Sequence, residues 1–158
     1  MPVNRYPIAR TRSFFIPAVY SSWNVSSKTD SPWGMQCPAS SGVWVWGWGR
    51  LPSDYVSALQ VWNVVISNAS GYARLQNRIT IAGEGDAPDD QLKTVGPTTV
   101  EIGDETQEHV LNIDLTTLTF VAGDIIRCEF ERDGSHVEDT LSASLYVAGW
   151  LFSYLADM

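Results

Sequence analysis

An all-β fold, a two-sheet jelly-roll sandwich carrying an extended N-terminal arm, is what three features of the 158-residue chain predict. From residue 43 onward, short runs rich in Val, Ile, Leu, Trp, Tyr and Phe recur at intervals of about 10–15 residues. Clusters of Gly, Pro, Asn, Asp and Ser separate those runs, and no stretch between them repeats its apolar residues at helical period. Residues 1–42 follow different rules, which sets them apart as the arm.

The arm holds Pro2, Pro7, Pro17, Pro32 and Pro38, five of the eight prolines, and a Ser-rich piece between Ser21 and Ser31. Proline fixes φ and lacks a ladder donor, so the segment cannot be a helix or a central strand. Phe14, Phe15, Ile16, Val19, Tyr20, Trp23 and Trp33 punctuate it, which a disordered tail would avoid. Ordering each residue costs about 1–2 kcal/mol, so the arm must dock these side chains somewhere. The expected partners are neighbouring subunits, since a fully extended arm would reach on the order of 120 Å. Arg5, Arg10 and Arg12 supply charge, and Phe14, Phe15, Tyr20, Trp23 and Trp33 supply apolar anchors, for such an interface. The alternative is an arm folded back on its own body as extra strands.

The body, residues 43–158, reads as successive strands. Residues 43–50 place Trp44, Trp46 and Trp48 on one face and Val43, Val45, Gly47 and Gly49 on the other. Burial of the Trp face, in the sandwich core or beneath the arm, is the expectation, with an exposed sugar-stacking platform as the alternative. After the turn at residues 51–54 come a run at 55–66, a break at 68–71, and a run at 72–82. An acidic loop, residues 83–90, precedes a short edge run at 98–102. Residues 108–115 alternate well, 124–132 lie between the turns Ala122-Gly123 and Asp133-Gly134, and 142–155 form a long final strand. The count approaches the roughly eight strands of a jelly roll.

The net charge of −8 is unevenly placed. Residues 1–50 carry five basic groups against one acid, and residues 51–158 carry five against seventeen. An acidic body argues against a duplex nucleic-acid binder, which needs many Lys and Arg on one face. The first residues, from Met1 to Arg5, offer no apolar core of a secretion signal, and no run approaches the roughly 18 apolar residues of a membrane span. Cys37 and Cys128 match no metal spacing and are expected to be reduced, Cys128 buried in a strand.

No catalytic constellation emerges, and no cofactor or metal is expected. The two histidines, His109 and His136, lie at a strand entrance and in a turn, away from any nucleophile turn of the Gly-x-Ser-x-Gly kind. Glu84, Asp86, Asp89 and Asp90, and again Asp104, Glu105 and Glu108, read as solvated acids; residues 86–90 lack the alternating ligand spacing of a calcium loop.

Several motifs occur in an order that resembles a known family. They are Arg50-Leu51-Pro52-Ser53-Asp54-Tyr55, Val61-Trp62, Ala122-Gly123-Asp124-Ile125-Ile126-Arg127, Glu131-Arg132-Asp133-Gly134, Asp139-Thr140 and Leu145-Tyr146-Val147-Ala148-Gly149-Trp150. Together they resemble the jelly-roll head cement (decoration) proteins of tailed bacteriophages, and related domains occur in phage tail appendages. The resemblance covers about residues 43–156 and its motifs are structural. It implies a homotrimer on the outer capsid surface of the virion that clamps major capsid proteins together, with no enzymatic activity, direct nucleic-acid contact or membrane contact. A receptor- or carbohydrate-binding module of a tail fibre is the alternative it allows.

Overall fold

The computed structural model describes residues 10–22, 34–83, 85, 91–103, 107–116 and 118–157. Within them the chain forms ten strands: β1 (Arg10–Pro17), β2 (Tyr20–Ser21), β3 (Met35–Cys37), β4 (Gly42–Arg50), β5 (Tyr55–Ser67), β6 (Gly71–Ala82), β7 (Gln91–Ile102), β8 (Gln107–Asp114), β9 (Ile125–Asp133) and β10 (Leu145–Ala156). All pairing is antiparallel. One sheet runs β1-β10-β5-β8, with β3 also on β10, and the other runs β2-β4-β9-β6-β7. Every connection between consecutive strands passes from one sheet to the other except β6 to β7, so neighbours in each sheet are distant in sequence.

The two sheets close on a core supplied by alternate residues. Val43 and Val45 of β4, Leu75, Ile79 and Ile81 of β6, and Ile126 and Phe130 of β9 face Leu59, Val61 and Val65 of β5, Ile113 of β8, and Trp150 and Phe152 of β10. Burying a side chain of this size contributes about 1.5–3 kcal/mol, and the period of two in each run is what sends these residues inward. Trp150 is fully enclosed, and its Nε1 donates to Asn77 Oδ1 across the sandwich at 2.9 Å. Cys37 and Cys128 are both buried free thiols, Cys128 within β9.

The described part of the expected arm belongs to the body. β1 pairs with β10 over its whole length, from Arg10↔Ala156 to Pro17↔Gly149. The chain then crosses sheets, Ala18 N donating to Ala148 O and Val19 N to Trp46 O, each at 2.9 Å, and β2 borders β4. Phe14 stacks on Phe152 with ring centroids 4.7 Å apart, and Ile16 is buried. The ordering cost of residues 10–22 is therefore offset by burial within the chain itself, the folded-back alternative at those positions. Both β1 and β2 lie at sheet edges, where prolines are tolerated.

β7 is longer than the short edge run expected at 98–102. It starts at Gln91: the ladder with β6 is interrupted by a bulge at Gly96 (φ +92°), opposite the step from Leu75 to Asn77, and pairing resumes between Asn77 and Val95. β10 begins at Leu145, after a loop that an ion pair anchors. Arg132 and Asp139 are both fully enclosed; Arg132 donates to both carboxylate oxygens and to the carbonyls of Cys37, Leu141 and Ala143. The segments Glu131-Arg132-Asp133-Gly134 and Asp139-Thr140 are thus where the 134–144 loop is tied to the body.

Candidate functional site: the outer face of the second sheet

β4, β9 and β6 lie side by side, and their registers align three rows of outward residues. Trp44, Glu131 and Gln76 form one row; Trp46, Glu129 and Arg78 the next; Trp48, Arg127 and Thr80 the third; Arg50 and Ile125 extend the grid by one step. Residues in register share a face of the sheet, so this is one continuous surface.

The Trp face of β4 is not in the core: Trp44 and Trp46 are half-buried on the outer side, Trp46 beneath Tyr20 of the arm, so the expectation of core burial is overturned. Val43, Val45 and Gly47 are the buried residues of β4, and Trp48 is 52% exposed. The cause is the space taken by the opposite sheet and by β1. A Cβ on Gly47 would lie 2.6 Å from Pro17 O and 2.8 Å from Trp150 Cζ3, and one on Gly49 would lie 2.6 Å from Ile16 Cδ1. Trp150 and Ile16 therefore fill the core against these glycines, which leaves the indoles of β4 outside.

The three indoles are not equivalent. The Arg78 guanidinium carbon lies 5.5 Å from the Trp44 ring centroid, a cation–π contact. The Tyr20 ring lies 5.1 Å from that of Trp46, tilted by 44°. Trp48 is the open ring of the row. Beneath the indoles sits Glu129, only 5% exposed although it points outward. Trp46 Nε1 donates to it at 3.0 Å, Arg127 Nη2 at 2.8 Å and Arg78 Nη1 at 3.4 Å. This knot of one carboxylate, two guanidinium groups and an indole N–H fixes the side chains that border Trp48. Burial pushes the Glu131 carboxyl above its ordinary range; Asp133 adds to the effect and Arg78 opposes it.

The surface ends in a concavity of about 520 Å³ lined by Arg50, Val121, Ala122, Gly123, Asp124 and Ile125. Among the described residues no group of three His, Cys, Asp or Glu side chains could hold a metal ion. No helix there is long and apolar enough to cross a membrane.

The expected interface residues sort as follows. Arg5, Trp23 and Trp33 lie outside the described residues, as do most of the acidic loop at 83–90 and Asp104 and Glu105. Arg10 is exposed on β1. Arg12 pairs with Asp54 of its own chain at 2.6 Å, and Phe14 packs on Phe152. Phe15 and Tyr20 are exposed, and Tyr20 joins the Trp face. His136 sits in a turn, its Nδ1 accepting from Glu138 N. The sequence assigned no site role to Arg50, Arg78, Arg127 or Glu129. The signal for Arg127 and Glu129 was the alternation in residues 125–131, where Arg127, Glu129 and Glu131 interleave with Ile126, Cys128 and Phe130.

No family model matches the chain, and no curated protein matches it. Among solved structures, one similar to it is that of TmCBM61 in complex with β-1,4-galactotriose, at 11% identity and a TM-score of 0.37. That match covers 74% of this chain, which spans 63% of the other protein's length. A likeness at this level carries no argument about function. The class of protein, an all-β two-sheet sandwich, rests on the strand pairing itself.

Proposed function

We propose that this protein is a non-catalytic binding module whose outer Trp face takes a carbohydrate, the role that related domains could serve in a phage tail appendage. The observation that carries the reading is Trp48, a 52% exposed indole held on a rigid strand and bordered by hydrogen-bonding side chains. Rigid aromatic rings beside a few fixed polar groups suit the flat, C–H-lined faces of pyranose rings. The winding supports the jelly-roll reading too. Numbering only the strands of eight or more residues from one to eight, the sheets run 1-8-3-6 and 2-7-4-5, with a single connection staying within one sheet.

The test is calorimetric titration of the full chain against a panel of neutral and charged oligosaccharides. At least one is expected to bind, and Trp48→Ala should weaken it tenfold or more, about 1.4 kcal/mol, without altering the melting temperature. Absence of binding across the panel, or equal binding by Trp48→Ala, overturns the proposal.

A second reading is favoured by the outer face of the other sheet. Phe15, Leu151 and Trp62 lie in register there, and Tyr146 and Ile66 form another outward pair. Phe15 is 46% exposed. Exposed apolar side chains of this kind suit a protein partner. They support a homo-oligomeric cement protein seated on major capsid proteins at the outer surface of a virion. Light scattering of the purified chain and a copy count per virion test it: a monomer absent from particles overturns this reading.

A further inference from the structure

The concavity at the end of the Trp row carries a chemical preference of its own. Arg50 stands two residues beyond Trp48 on the same face of β4 and lines the concavity with Val121, Ala122, Gly123, Asp124 and Ile125. Its Nη1 donates to Gly123 O at 3.3 Å, and among the described residues it has no ion pair. A guanidinium has five N–H donors, so most of its donor fork remains open.

The other charges around it are engaged. Arg127, beside Trp48, is paired with Glu129. The Asp124 side chain is turned into its own loop, Oδ2 accepting from Val121 N at 3.0 Å, and the residue is only 7% exposed. Arg50 is thus the cation at the mouth with an open donor fork and no ion pair among the described residues. The Asp124 carboxylate that shares the concavity is buried in its own loop, and the walls are apolar, with Val121, Ile125 and Trp48 all about half exposed or more. A planar fork of donors is suited to a carboxylate, which it can take with two parallel hydrogen bonds.

We propose that the Trp48–Arg50 end of the outer sheet binds an acidic sugar, a uronic acid residue whose ring stacks on Trp48 while its carboxylate is held by Arg50. This deepens the carbohydrate reading and rests on it. The exposed apolar side chains of Ile125 and Val121 line the same concavity and would flank the remaining edge of the sugar.

The probes are trigalacturonate, the same trimer methyl-esterified at its carboxylates, and inorganic phosphate. Titration of the full chain should show trigalacturonate binding at least tenfold tighter than the ester, with the difference shrinking as salt is raised. Arg50→Gln should bring the acid down to the level of the ester, Arg50→Lys should recover part of the loss, and Trp48→Ala should weaken both trimers. Both side chains are exposed, and an unchanged melting temperature verifies the fold of each variant. Equal binding of acid and ester, or no effect of Arg50→Gln, overturns the assignment. Phosphate binding as tightly as trigalacturonate overturns the sugar and leaves a simple anion site. If neither trimer binds while neutral glycans of the wider panel do so through Trp48, the acidic preference falls and the carbohydrate reading stands. If nothing binds, both fall.

Discussion

Replacing Asp139 by alanine should strongly destabilise the protein by breaking the buried ion pair that anchors the 134–144 loop. Arg132 is fully enclosed, and its five N–H groups are all satisfied, two by the Asp139 carboxylate and three by the carbonyls of Cys37, Leu141 and Ala143. Asp139 Oδ2 also accepts from Arg74 N at 3.1 Å. Alanine leaves a buried cation without its counter-charge and strands a backbone donor on β6. Breaking a buried pair by removing one partner costs about 3–5 kcal/mol. For a domain of this size each kcal/mol lowers the melting temperature by roughly 2–4 °C, so a fall of about 10 °C is expected. Urea denaturation and calorimetry measure it directly. The double variant Arg132→Met with Asp139→Leu should recover only part of the loss. It removes the bare charge but leaves Arg74 N and the carbonyls of Cys37, Leu141 and Ala143 without these partners. A loss below about 1 kcal/mol for Asp139→Ala would refute the argument that an uncompensated charge dominates there.

Other changes test other joints of the fold. Gly47→Ala should destabilise by about 1–3 kcal/mol in a denaturant titration, since its Cβ meets Pro17 O and Trp150 at distances real contacts do not tolerate. Trp48→Ala should leave stability unchanged within about 0.5 kcal/mol, as expected for an exposed surface position. Cys37 and Cys128 should be inert to a thiol reagent in the native state and react on unfolding, because burial holds the Cys37 thiol up at about 12 and pushes that of Cys128 well above the ordinary value. The sign of the linked pH effect follows. Below the ordinary thiol pKa of 9.0 both states keep the proton; between 9.0 and about 12 only the unfolded chain releases that of Cys37. Stability should therefore fall as pH rises above 9, by up to about 1.4 kcal/mol per pH unit for each thiol. Cys128→Ala should flatten that slope in melts taken from pH 8 to 11.

The all-β class, the positions of β4, β5, β6, β8, β9 and β10 to within a few residues, and the free buried state of Cys128 were legible in the chain, because a strand's period of two and its turn residues are local properties. So was the contrast between the charged and apolar faces of residues 125–131. Which face of β4 lies inside was not a local matter. Three indoles opposite two glycines looked like a core face, yet Trp150 and Ile16, from β10 and β1, occupy the space that Gly47 and Gly49 leave open. The same holds for residues 10–22, whose aromatics announced docking without saying on what; β1 found its place on β10, at the far end of the chain. The bordering of Trp48 by Arg127 and Arg50, and the knot around Glu129, arise only when β4, β9 and β6 come into register. Composition and alternation are written along the chain and fix which residues face together. Burial and the making of a site depend on which distant strand supplies the opposing volume and charge, and the folded sandwich alone decides that.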